Sequence, residues 1–199
     1  FNVIAGLQPV KRGSVRMCYS SAKTDGLAYV PQRDQINWRF PSTVEDVVGM
    51  GRLRKRSWFR RPTEDDKHAI SASLERVGLD HRRSTLVTEL SGGQRQRTFV
   101  ARALAQEAEI LLLDEAFTGV DVGAQESLVE VLKSLRDDGK IVLMATHDLT
   151  NLAERFDQVL CLNHHVCAFG APSVAFTSEV LEELYGAHGL DFGHSELEL

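Results

Sequence analysis

The sequence predicts an α/β fold built on a mostly parallel sheet. Three features predict it. Ile110-Leu111-Leu112-Leu113 is a continuous apolar run ending in Asp114 and Glu115, the pattern of a strand covered on both faces. Ile141-Val142-Leu143-Met144-Ala145 repeats that pattern and delivers Thr146, His147 and Asp148. Between the two, Leu128, Val131, Leu132 and Leu135 recur at helical spacing and stop at Gly139. In open α/β sheets a ligand sits beyond the carboxyl ends of the strands, where Asp114 and Glu115 fall.

A second pattern lies just upstream. Leu90-Ser91-Gly92-Gly93-Gln94 opens a stretch in which Phe99, Val100, Ala103 and Leu104 share one helical face. Ser91 is suited to cap that helix, and the paired glycines allow close approach of a ligand to the backbone. The start of a helix offers unpaired N–H groups and the positive end of a dipole, a site suited to phosphate. LSGGQ followed by an apolar strand ending in Asp-Glu resembles the nucleotide-binding subunits of ABC transporters. The resemblance implies a P-loop NTPase-like cassette with an inserted helical subdomain. The expected division is an ATPase core over residues 1–33 and 101–199 and a helical signature subdomain over residues 34–100.

Composition agrees with an ordinary globular chain. The 199 residues suit one domain, or one domain with an insertion, and are 43% hydrophobic and 26% charged. A net charge of −5 argues against nucleic acid as the main partner. No apolar run approaches the ~20 residues that span a bilayer, so a membrane role must pass through a separate subunit. Three cysteines with no CxxC pair fit reduced thiols in the cytosol.

Taken in order, Phe1, Ile4 and Ala5 have helical spacing, and Gly6 sits where such a helix would end. A phosphate loop, G-x-x-x-x-G-K-[ST], is absent. Gly139-Lys140 has Ser134 in place of the first glycine and Ile141 in place of Ser or Thr. The expectation is that the chain starts just after that loop. Val15 to Tyr19 and Leu27 to Val30 read as strands, the second followed by Pro31-Gln32. Gln32 resembles the Q-loop glutamine, which the resemblance places near magnesium and the attacking water.

Ser42 or Thr43 is positioned to cap a helix through Glu45, Asp46, Val47 and Val48. The run from Ile36 to Arg52 resembles the ATPases of manganese, zinc and iron-chelate importers. There the exposed aromatics Trp38 and Phe40 are expected to meet the membrane subunit, against a local-core alternative. The basic run from Arg52 to Arg61 reads as a solvated face, with anionic lipid and nucleic acid as alternatives. Thr63 caps a helix with Ile70, Leu74 and Val77 on one stripe, closed by Gly78. Asp121 resembles the D-loop aspartate and also suits a plain helix cap. His147 resembles the switch histidine at the γ-phosphate.

Gln158 to Phe169 reads as a hairpin around Asn163-His164-His165. Its Cys161, His164, His165 and Cys167 are metal-ligand types, set against a hairpin with buried cysteines. A short helix is expected from Glu179 to Tyr185, followed by a polar tail.

The resemblance implies an ATPase with ATP and Mg2+ as cofactors, coupling hydrolysis to metal import. Glu115 would polarise the attacking water, with His147 and Gln32 sensing the γ-phosphate and Asp114, with Gln32, holding magnesium. Ser91, Gly92, Gly93, Gln94 and Asp121 would close on nucleotide held by a second copy. The implied partners are a transmembrane permease, a second cassette in a homodimer and a solute-binding protein, on the cytoplasmic face of the cell membrane. Two other readings stay open. One is a catalytically dead partner-binding chain. The other is a soluble ABC ATPase acting on DNA or ribosomes, against which stand the single LSGGQ and the lack of a heptad arm.

Overall fold

The computed structural model describes residues 1–18, 26–32, 41–53, 61–147 and 151–185. Trp38 and Phe40, most of the basic run, Tyr19, Asp148 and the polar tail lie outside the described residues. Contacts divide the chain into two compact units, Phe1–His147 and Asp148–Leu199.

The first unit is built on a parallel sheet of β1 (Leu27–Val30), β2 (Ile110–Asp114) and β3 (Ile141–Ala145), with β2 in the middle. Val30 pairs with Leu113, and Asp114 with Ala145, so the carboxyl ends of all three strands share one edge. Leu111, Leu112 and Leu113 are fully buried, as an apolar run in a central strand requires. β3 departs from expectation. Its Ile141 and Leu143 are 53% and 41% exposed. β3 is the outer strand among the described residues and α4 (Val122–Asp137) packs against it, while the face bearing Ile141 and Leu143 is left open. In α4, Leu128, Val129, Leu132 and Leu135 are buried, and Val131 only partly.

Three helices pack on one another: α1 (Val44–Gly49), α2 (Glu64–Arg76) and α3 (Gly92–Ala105). Each opens with a reciprocal capping box, Thr43 with Asp46, Thr63 with Asp66 and Ser91 with Gln94, which satisfies two otherwise unpaired N–H groups per helix. Their facing sides bury Val44, Val48, Ile70, Leu74, Phe99, Val100 and Ala103. Arg52, 6% exposed, fastens the group. Its guanidinium donates to Asp66 Oδ1 at 2.9 Å, Ala105 O at 2.9 Å and Glu107 Oε2 at 2.6 Å. Burial pushes the Asp66 carboxyl up, but Arg52 and Thr63 outweigh it and hold the group below the usual range. α3 also fastens β1, since Arg102 donates to Tyr29 O at 3.2 Å and Gln106 to Leu27 O at 2.9 Å. These bonds occupy carbonyls of β1 that β2 does not use.

At the start of the chain a single helical turn closes in a Schellman arrangement. Leu7 N–H donates to Asn2 O and Gly6 N–H to Val3 O, with Gly6 at φ +72°. Residues 15–18, expected as part of a strand, are exposed and join no ladder.

The second unit holds α5 (Leu152–Arg155), β4 (Val159–Asn163), β5 (His165–Gly170), α6 (Pro172–Ala175) and α7 (Ser178–Tyr185). β4 and β5 form the expected antiparallel hairpin, linked by His164 at φ +60°. Cys161 is buried at 4% exposure, whereas Cys167 is only partly covered, so one of the two expected buried cysteines is not buried. Burial raises both thiols above their usual range. Among the described residues no helix is long and apolar enough to cross a membrane.

Candidate active site

The shared carboxyl edge of the sheet brings one predicted group together. Asp114 is the last residue of β2, and Glu115 follows in the left-handed region at φ +48°. A non-glycine residue there carries strain on the order of 1–2 kcal/mol. The turn is held by Glu115 N–H donating to Ala145 O at 3.0 Å. It leaves the Glu115 carboxylate 29% exposed, with Oε1 3.7 Å from His147 Nδ1. That distance is too long for a hydrogen bond, so the two groups face each other across a gap. Thr118 Oγ1 donates to Glu115 Oε2 at 3.4 Å. His147 lies two residues beyond β3 and is 73% exposed. Gln32, two residues beyond β1, lies at the same edge through the parallel register.

One residue of this group was not singled out in the sequence. Tyr29 donates its hydroxyl to Asp114 Oδ2 at 3.0 Å. Burial, then the bond to Asp114 and its negative charge, push the Tyr29 phenol up to about 12. A signal existed in the strand alternation. Ala28 and Val30 are buried at 2% and 0% on one face, which sends Tyr29 to the other.

A second group forms at the start of α3. Ser91 Oγ accepts from Gln94 N–H at 3.3 Å, and Gln94 Oε1 accepts from Ser91 N–H at 3.0 Å. Gly92 is the first helical residue. Gly93 is a close-approach glycine, though its near neighbour belongs to the chain itself. A Cβ there would lie 2.6 Å from Ala124 Cβ and 3.8 Å from Asp121 Oδ2. Asp121 caps α4 by accepting from Ala124 N–H at 3.0 Å. The signature turn and Asp121 are therefore neighbours, while Asp114, Glu115, His147 and Tyr29 make up the other group. The Lys, backbone cradle and hydroxyl of a phosphate loop are not among the 199 residues.

Comparison with known proteins gives this arrangement a family. The sequence pattern described as ABC transporter matches residues 1–118, more than half of the chain. A chelated iron transport system membrane protein, YfeB, of Yersinia pestis is 44% identical over 190 residues, covering 94% of this chain and 64% of that protein. The manganese transport system ATP-binding protein MntB of Halalkalibacterium halodurans is 46% identical over 159 residues, covering 80% and 64%. The chain thus spans just under two thirds of the length of these relatives. Among solved structures, an inward-facing conformation of a metal-chelate type ABC transporter superposes with a TM-score of 0.83 at 27% identity, covering 93% of this chain and 72% of that one. With a family match over more than half of its length and relatives of 44% and 46% identity, the chain belongs to the ABC transporter family.

Proposed function

We propose that this chain is part of the ATP-binding subunit of an importer for a metal ion, manganese, zinc or iron, working with a separate membrane permease. The observation that carries the proposal is the shared carboxyl edge, where Asp114, Glu115 and His147 follow neighbouring parallel strands, with Gln32 two residues beyond the third. Relatives named for chelated iron and manganese transport support the cargo class. The same reading makes the chain an ATPase, peripheral on the cytoplasmic face of the membrane, working as a homodimer beside a solute-binding protein.

The residues suit hydrolysis of the terminal phosphoanhydride bond of a nucleoside triphosphate. The edge offers carboxylate and amide oxygens, the hard ligands that Mg2+ prefers. Asp114 and Gln32 would hold the ion, and Tyr29 would keep the Asp114 carboxylate oriented. Magnesium, when bound, neutralises charge on the β- and γ-phosphates. Glu115 would take a hydrogen bond from the attacking water and polarise it, with the strained turn aiming its carboxylate. His147 would donate to the γ-phosphate oxygen. The start of α3 at Ser91, Gly92, Gly93 and Gln94 would receive the nucleotide of the second copy, beside its neighbour Asp121. Residues 34–100 would move as one helical body against residues 1–33 and 101–199. Trp38 and Phe40 would meet the permease.

Uptake of labelled manganese, zinc and iron chelate by vesicles holding the complete importer tests this. ATP-driven uptake of one of the three, lost on Glu115→Gln, is expected. Uptake unaffected by that substitution would refute the proposal.

A further inference from the structure

The sequence offered four metal-ligand side chains in the hairpin. The structure selects two of them and adds a third from a different element. His165 and Cys167 are two apart on β5, and Glu183 comes from α7. One potential ligand atom from each, a ring nitrogen, Sγ and a carboxylate oxygen, lies within 4.8 Å of the other two. His165 Nε2 and Glu183 Oε1 are 2.8 Å apart. Cys161 and His164 stand outside this cluster.

We propose that His165, Cys167 and Glu183 form a mononuclear site for a divalent transition ion of the zinc class, with water as the fourth ligand. A tetrahedral ion with bonds of about 2.0–2.3 Å sets its ligand atoms roughly 3.3–3.7 Å apart. The three atoms reach that spacing by side-chain adjustments of about 1 Å or less, within ordinary rotamer freedom. The donor set is one nitrogen, one sulfur and one oxygen. Sulfur selects zinc and its neighbours over magnesium and calcium, which take oxygen ligands. The site is supported from behind. Asn163, the register partner of His165, donates its Nδ2–H to Glu183 O at 3.0 Å. That bond fastens α7 to the hairpin through the Glu183 backbone and does not use the carboxylate. His165 and Glu183 are 64% and 40% exposed, so an ion and its water arrive directly from solvent. The ligands join β5 to α7, so the bound ion staples the last described helix to the hairpin. This site shares no residue with the edge at Asp114 and does not depend on the transport proposal.

Titration of the whole 199-residue chain with Co2+ and with Zn2+, reduced and free of affinity tag, tests the site. One equivalent of Co2+ is expected to bring up the near-ultraviolet sulfur-to-cobalt charge-transfer band, and Zn2+ to bleach it. Cys167→Ser should abolish the band. His165→Gln and Glu183→Gln, both at exposed positions, should each weaken Zn2+ binding by at least about tenfold. Cys161→Ser should leave both readouts unchanged. Circular dichroism confirms that each variant is folded. Absence of the band in the folded wild-type chain would overturn the site. So would a band that survives Cys167→Ser, or Zn2+ affinity indifferent to His165→Gln and Glu183→Gln.

Discussion

Asp114 and Glu115 could be found from sequence because an apolar strand that ends in two adjacent carboxylates is a local pattern. Alternation along β1 sets Tyr29 on the face opposite Ala28 and Val30, but its pairing with Asp114, 85 residues away, could not be read because only the sheet register brings the two together. Their bond has a pH consequence. The Tyr29 phenol titrates near 12 in the folded chain and near 10.0 when released. Its contribution to stability is therefore complete below about pH 10 and is lost as pH rises through about 12. Ultraviolet titration should show one tyrosine with a midpoint near 12. Asp114→Asn should move it downward but not fully back, since burial is the larger cause. Arg52 is the other residue whose role sequence did not disclose, sitting at the edge of a run read as a solvated basic face. Three of its partners come from α2, the end of α3 and the loop beyond it. Arg52→Met leaves the buried Asp66 carboxylate without its counter-charge, held only by Thr63, and should cost about 3–5 kcal/mol in urea denaturation. A loss below about 1 kcal/mol would show that water replaces the guanidinium.

At the scale of elements, helix starts were the most legible feature. Thr43, Thr63 and Ser91 each precede a helix, and each is followed three residues later by a side chain that completes the box. Strands were less so. β2 and β3 have the same apolar composition, yet one is buried on both faces and the other open on one, because burial depends on neighbours and not on the strand itself. The role of Gly93 also moved. Paired glycines after Ser91 suggest room for a ligand, while the structure uses Gly93 to let α3 meet α4. Gly93→Ala should therefore destabilise the chain by about 1–3 kcal/mol, measured by urea denaturation without any nucleotide. An unchanged midpoint would return Gly93 to a purely ligand-facing role. Ser91→Arg keeps that packing but puts a long cation at the start of α3. In a chain given a G-x-x-x-x-G-K-[ST] segment ahead of Phe1, it should leave ATP binding intact and abolish hydrolysis.

At the scale of the whole molecule, the fold class and family were readable because the Ser91–Gln94 turn, the Asp-Glu strand end and His147 come in a fixed order along one chain. The pairing of Tyr29 with Asp114 and the gathering of Glu183 with His165 and Cys167 were not, since each joins distant segments. The proposed chemistry makes a demand on the chain as it stands. Asp114 and Glu115 repel a triphosphate unless a cation intervenes. The 199 residues hold no phosphate-loop lysine. Calorimetry should find ATP binding by these residues weak or absent, and micromolar affinity would show the loop to be dispensable. The most direct measurement is phosphate release by a chain given a G-x-x-x-x-G-K-[ST] segment ahead of Phe1, with and without Glu115→Gln. The parent should hydrolyse ATP, and the Gln variant should bind ATP equally well but turn over at least about a hundredfold more slowly. Near-parental turnover by the Gln variant would contradict Glu115 as the base.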